Sequence, residues 1–197
     1  AIHSDASLTI SGGVFAIASG DDALHAESAL LVSGGTLEIT KSYEGLEGNY
    51  ITVSGGEISL VASDDGMNAA GGNDGSGMAG PFGGFGGFGE ATDAYILISG
   101  GSLVMNAGGD GIDSNGYLVI NGGTVISQAC GFSMDAGIDS DMGIHINGGT
   151  GVATGHMLDR IEDGGQTHAV FTMGQSRKSS FIQLKNPTGD TIVSQSI

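Results

Sequence analysis

Ile112-Asp113-Ser114-Asn115-Gly116-Tyr117-Leu118-Val119-Ile120-Asn121-Gly122-Gly123 restates a phrase that occurs twice earlier in the chain. The earlier copies are Ile2-His3-Ser4-Asp5-Ala6-Ser7-Leu8-Thr9-Ile10-Ser11-Gly12-Gly13 and Leu24-His25-Ala26-Glu27-Ser28-Ala29-Leu30-Leu31-Val32-Ser33-Gly34-Gly35. Gly-Gly pairs begin at Gly12, Gly34, Gly55, Gly100, Gly122 and Gly148, in steps of 22, 21, 45, 22 and 26 residues. The step of 45 is one repeat plus an insertion of about 23 residues. A fixed period of 21–22 residues is the mark of a solenoid. In a solenoid each repeat position stacks into a column, so a charged position becomes a line of charges.

Each repeat carries two alternating runs. Before the Gly-Gly pair stand Leu8/Ile10, Leu30/Val32, Ile51/Val53, Ile96/Ile98, Leu118/Ile120 and Ile144/Ile146; after it stand Phe15/Ile17, Leu37/Ile39, Ile58/Leu60 and Leu103/Met105. Alternation with period two predicts half-buried strands. A lone apolar residue marks the remaining turn: Ile2, Leu24, Leu46, Met67, Ile112 and Ile138. No stretch has a helical period, which argues against a leucine-rich repeat. The prediction is an all-β fold, a right-handed single-stranded parallel β-helix with coils of 21–22 residues and glycine at its corners. The 39 glycines and the lack of tryptophan agree with a narrow core of small aliphatics completed by neighbouring coils.

Residues 1–155 are assigned to the coils. Residues 156–197 lose the period and are assigned to a C-terminal β cap of the same structural domain. There, Thr167–Met173, Ser179–Lys185 and Thr191–Ile197 are expected as strands around a turn at Asn186-Pro187-Thr188-Gly189-Asp190. Such a cap closes the core and blocks edge-to-edge growth. No run is apolar enough to span a membrane. A net charge of −17 argues against nucleic acid as a partner. The chain starts in mid-repeat at Ala1, and an upstream segment is expected to have been removed. The one cysteine, Cys130, reads as a small buried hydrophobe.

The acids are not scattered. Aligned on the Gly-Gly register, one corner column reads Asp22, Glu44, Asp65, Asp110, and a second reads His3, His25, Glu47, Asn68, Asp113, Asp139. The apolar residue of the turn points inward, so its flanking neighbours are expected along one outer edge. Coils stack about 4.8 Å apart. Two carboxylates at that distance repel by roughly 3 kcal/mol at an effective dielectric of about 20. Lys41 is the only Lys or Arg before Arg160. A bound cation is the natural neutraliser at neutral pH, and carboxylate, amide and backbone oxygens suit Ca²⁺. Softer metals want His or Cys clusters. The pair His3/His25 is a weak zinc signal, and a solvated edge is the remaining reading. The candidate metal ligands are Asp22, Glu44, Glu47, Asp64, Asp65, Asn68, Asp110, Asp113 and Asp139.

Ser63-Asp64-Asp65-Gly66-Met67-Asn68-Ala69-Ala70-Gly71-Gly72-Asn73-Asp74, with Ser42-Tyr43-Glu44-Gly45-Leu46-Glu47-Gly48 before it and Gly109-Asp110-Gly111-Ile112-Asp113-Ser114-Asn115-Gly116 after it, closely resembles a bacterial family of carbohydrate-binding parallel β-helix domains. The resemblance covers about residues 1–155. It implies a fold similar to pectate-lyase-like polysaccharide lyases and a place in secreted or cell-surface proteins of polysaccharide-degrading anaerobes. It also implies calcium in the acidic turns, at positions matching Glu44, Glu47, Asp64, Asp65, Asp110 and Asp113, and binding to cellulose-like or acidic plant polysaccharides. The chain departs from the family pattern at His25, where an acid or amide is usual, and at Ala136, which stands in the acid column of a coil four residues longer.

Tyr50, Tyr95 and Tyr117 each stand five residues before a Gly-Gly pair and form one outward column beside the acidic turn. They read either as strand residues or as a platform for sugar rings. The insertion at 71–93, with Phe82, Phe85 and Phe88, reads as a lid or as a flap over apolar surface. The function that follows is a non-catalytic, calcium-binding polysaccharide-binding domain, possible as a monomer. The alternatives are a calcium-dependent pectate-type lyase and an adhesive surface β-helix. A lyase needs a base of tuned pKa. The only candidate is Lys41, whose acidic surroundings favour its charged form.

Overall fold

A computed structural model describes residues 1–70, 93–129, 134–172 and 181–196. The expectations for Phe82, Phe85, Phe88 and Cys130 fall outside the described residues.

The chain is all-β, and its strands run in parallel register through a solenoid of about six turns. The strands are β1 (Ile2–Ser4), β2 (Ser7–Ala18), β3 (Leu24–Lys41), β4 (Leu46–Val61), β5 (Met67–Ala69), β6 (Tyr95–Asn106), β7 (Ile112–Ser114), β8 (Tyr117–Ile120), β9 (Thr124–Gln128), β10 (Gly143–Ile146) and β11 (Thr150–Thr154). The pairing reproduces the columns read from the repeat. Leu8, Leu30, Ile51, Ile96, Leu118 and Ile144 are successive partners. So are Ile17, Ile39, Leu60 and Met105 on the next side of the coil. Ile2, Leu24, Leu46, Met67 and Ile112 form the third column. Apart from Ile2 and Leu8, which lie at the open first coil, these residues are buried and belong to one continuous core. Period-two alternation sends every second side chain inward, and stacking places like on like.

The Gly-Gly corner has a separate reason for each glycine. A Cβ on Gly55 would come within 2.6 Å of the Ser33 carbonyl oxygen on the coil before, so in every coil after that of Gly12 the first position admits no side chain. The second turns at positive φ, +96° at Gly35 and +97° at Gly56, where side chains are strained. Together they let β2, β3, β4 and β6 pass through the corner and continue.

The contacts divide the chain into Ala1–Gly165 and Gln166–Ile197. Coil-type pairing runs past the expected boundary at 155–156: Ala136 bridges Met157 and Ile144 bridges Ile161, both in parallel. In the second unit, β12 (Phe181–Lys185) and β13 (Thr191–Ser196) form an antiparallel hairpin. Its turn is organised by Asn186, whose side-chain oxygen accepts from the Thr188 and Asp190 backbone N–H groups. The strand expected at Thr167–Met173 is not formed over its described residues, 167–172, which are exposed to solvent. Among the described residues no strand pairs with them.

Candidate functional site

The glycine between the two acid columns brings neighbouring turns into close approach. Gly45, Gly66, Gly111 and Gly137 occupy that position in successive coils. A Cβ on Gly66 would lie 2.5 Å from the Gly111 carbonyl oxygen, and one on Gly111 would lie 2.5 Å from that of Gly137. With hydrogen there instead, the turns stack closely enough for backbone bonds: Gly45 N–H donates to Asp65 O at 3.1 Å and Gly66 N–H to Asp110 O at 3.0 Å.

The first column then does structural work unforeseen in the sequence. The Asp22 carboxylate accepts the Glu44 backbone N–H at 3.1 Å, and that of Asp65 accepts the Asp110 N–H at 2.7 Å. The Asp110 carboxylate accepts the Ala136 N–H. Asp22, Asp65 and Asp110 each cap the next turn, whereas the Glu44 carboxylate accepts from the Asn68 amide. The column ends where Ala136 supplies no carboxylate.

The second column is confirmed rung by rung. His3, His25 and Glu47 are register partners, as are Glu47 and Asn68, and Asn68 and Asp113. Asp139 lies outside the strands; its N–H donates to Ile112 O at 2.7 Å, beside Asp113. Part of the expected outer edge is instead buried. Asp22, Glu44, Glu47 and Asn68 are only 5%, 2%, 2% and 6% exposed. Stacked rungs cover one another, an effect invisible when one turn is considered alone.

Among the described residues two triads of possible ligands emerge, each with donor atoms within 4.8 Å of one another: Asp22/His25/Glu47, and Asp65/Asp110/Asp113. Glu44, Asp64, Asn68 and Asp139 belong to neither. Asn68 donates to Glu44 at 2.7 Å. Asp64 accepts the Tyr43 hydroxyl, a bond that, with burial and the Asp64 charge, pushes the phenol well above its usual range.

In the Asp65/Asp110/Asp113 triad every donor is a carboxylate oxygen, the chemistry that fits calcium. The cost of holding these groups together shows in their acidity. Burial, then the charges of Asp113, Asp64 and Asp110, push Asp65 up to about 9. Burial raises Asp110 to about 7 against the opposing Ala136 N–H, with Asp139 and Asp135 adding to the rise. Burial and the charges of Asp110, Asp139 and Asp141 raise Asp113 to about 7. Folded-state values above the unfolded range near 3.9 mean that the native state binds more protons, so stability falls as pH rises. Metal-stripped protein should therefore lose melting temperature progressively from about pH 4 to pH 9, and saturating calcium should flatten the profile. Thermal scans of stripped and calcium-loaded protein across that window check this; a stripped profile rising with pH contradicts it.

Tyr50, Tyr95 and Tyr117 are register partners, as the repeat predicts. Tyr95 and Tyr117 are 38% and 44% exposed. Ring centroids of Tyr50 and Tyr95 stand 5.1 Å apart at 35°, closer than two rings can lie side by side in one plane. The pair is a tilted stack. The Tyr50 hydroxyl donates to Asp93 at 2.6 Å. Tyr117 packs on His145 with centroids 5.8 Å apart. Beside the tyrosines runs a second outward column of partners, Leu31, Thr52, Leu97 and Val119. Asn147 donates to Asn121 at 2.8 Å near the corner. One side of the solenoid thus offers aromatic, aliphatic and amide groups together.

A family model described as a carbohydrate-binding domain-containing protein matches residues 1–45. The matched stretch spans the first coils and includes Asp22, His25 and Glu44. It supports a carbohydrate-binding role. No curated protein and no solved structure matches the chain.

Lys41 ends β3 as an exposed residue and, among the described residues, makes no ion pair.

Proposed function

We propose that this chain is a non-catalytic polysaccharide-binding domain of a secreted or cell-surface protein, with Ca²⁺ held by Asp65, Asp110 and Asp113. The observation that carries the reading is the carbohydrate-binding family match over residues 1–45. The side bearing Tyr50, Tyr95 and Tyr117 supports it, because a sugar ring needs an apolar surface for its C–H face and polar groups at its rim for its hydroxyls. Three carboxylates in reach of one point suit a hard cation. The ion's part is to neutralise and hold adjacent turns; with coordination positions left over it would also bridge to carboxylates of an acidic glycan. The chain's own part is to present the rigid tyrosine side alongside.

Retention on insoluble glycans and on a glycan array, with and without chelator, tests the reading. Tyr95→Ala combined with Tyr117→Ala should reduce retention at least about tenfold, since aromatic anchors at binding surfaces each contribute above 1 kcal/mol. Retention unchanged by the double substitution removes the tyrosine side from the interface. No retention on any glycan overturns the function.

Calcium stoichiometry tests the ion. Asp65→Ala or Asp110→Ala should abolish binding at the oxygen triad, whereas Asp190→Ala should not. Asp190 is held below the usual carboxylate range by Thr188 and Asn186 in the hairpin turn. Elemental analysis of dialysed protein reads the result, and equal loss in all three variants argues against the triad.

A further inference from the structure

We propose that the Asp22/His25/Glu47 triad is a second, chemically different metal site, selective for an imidazole-preferring divalent ion of the zinc class. This inference does not depend on the carbohydrate reading. His25 stands in the second column between His3 and Glu47, and its Nδ1 faces two carboxylates. Glu47 Oε2 is in direct contact with it, and Asp22 Oδ2 lies 3.4 Å away. Zinc bonds of about 2.0–2.1 Å to nitrogen and oxygen make a tetrahedron with edges of about 3.4 Å. The Asp22–His25 separation already matches such an edge, and a small outward movement of Glu47 would complete the face.

Charge points the same way. Asp22, Glu44 and Glu47 are all buried, and the only Lys or Arg in the first 159 residues, Lys41, is exposed. A protonated His25 offsets one of three buried charges; a divalent ion offsets two and frees the imidazole to act as a neutral ligand. A separate observation marks the neighbourhood as cation-seeking. Asn68, the rung after Glu47 and 6% exposed, gives its amide nitrogen to Glu44, while its carbonyl oxygen is buried with no donor. His25 Nε2 is buried as well and makes no hydrogen bond, lying 3.5 Å from Glu27 Oε1. One nitrogen and two carboxylates form a donor set that suits zinc-class ions better than calcium, which takes six to eight oxygens. Three protein donors leave a position for water or a glycan hydroxyl.

The test uses the whole chain, free of any histidine tag and stripped of metal, titrated with Zn²⁺ and separately with Ca²⁺ by calorimetry. The expected result is a single equivalent of Zn²⁺ that an about thousandfold excess of Ca²⁺ does not displace. His25→Ala should weaken Zn²⁺ binding at least about 100-fold and leave the calcium stoichiometry intact. Asp110→Asn should do the reverse. Co²⁺ at the site should give the intense visible absorption of tetrahedral coordination, lost in His25→Ala. Zn²⁺ binding equal in both proteins, or full displacement by Ca²⁺, overturns the proposal. Should His25→Ala fail to fold, the ring nitrogen resonances of His25 in the unaltered chain decide: Zn²⁺ must shift them, and unmoved resonances overturn the site.

Discussion

If the proposed calcium site is filled, stripping divalent cations should lower the melting temperature of the solenoid by about 10 °C. Binding to the native state alone, at a thousandfold excess over Kd, contributes about 4 kcal/mol. For a unit of 150–250 residues each kcal/mol shifts the midpoint by about 2–4 °C. The effect is large here because the acids sit on adjacent coils of one stack. Without a cation, Asp65, Asp110 and Asp113 are driven toward protonation at a pH where free carboxylates are ionised. Calorimetric scans in chelator and in millimolar calcium, at matched ionic strength, measure the difference. Identical midpoints would remove the cation from the account of stability.

Gly66→Ala should destabilise the coils by about 3 kcal/mol, near the upper end for overpacking, and should cost the oxygen triad its cation. The added Cβ meets a backbone oxygen of the next coil at 2.5 Å, together with Leu60 and Met105, and a backbone atom cannot swing aside as a side-chain tip can. Relief requires parting two coils. That breaks the Gly66–Asp110 backbone bond and separates Asp65 from Asp110. Gly12→Ala is the control: it has open space around its Cβ and should change stability by less than about 0.5 kcal/mol. Urea midpoints of the two variants decide the matter, and equal midpoints refute the packing argument.

A repeat makes the stacking of its residues readable. Leu30, Ile51 and Ile96 announce their stacking because a solenoid converts period into contact with no folding intelligence beyond register. The same logic placed His25 opposite Glu47 and Tyr50 opposite Tyr95. Side-chain direction within a column was not readable. That Asp22 and Asp65 turn to cap the next backbone N–H, and that Glu44 and Glu47 are buried, depends on how closely the turns approach. That approach rests on Gly45, Gly66 and Gly111, whose signal lay in the sequence as a third column between the acids. Tyr50 and Tyr95 illustrate the same limit, since register makes them neighbours but not coplanar. At Thr167–Thr172 alternation is present with no partner strand among the described residues, and alternation alone does not make a strand.

Asp65 and Asp110 are adjacent rungs, yet 45 residues separate them along the chain. Met67 and Asn68 nevertheless pair with Ile112 and Asp113 as though the intervening stretch were missing. The register is therefore indifferent to what the chain carries between them. The cost of closing a length of chain between two fixed points grows slowly, by about 0.6 kcal/mol for each doubling. Residues 71–92 thus mark a natural splice point. A foreign segment grafted there would be borne by the stack while the rungs on either side keep their alignment, and this makes the solenoid a carrier as well as a surface.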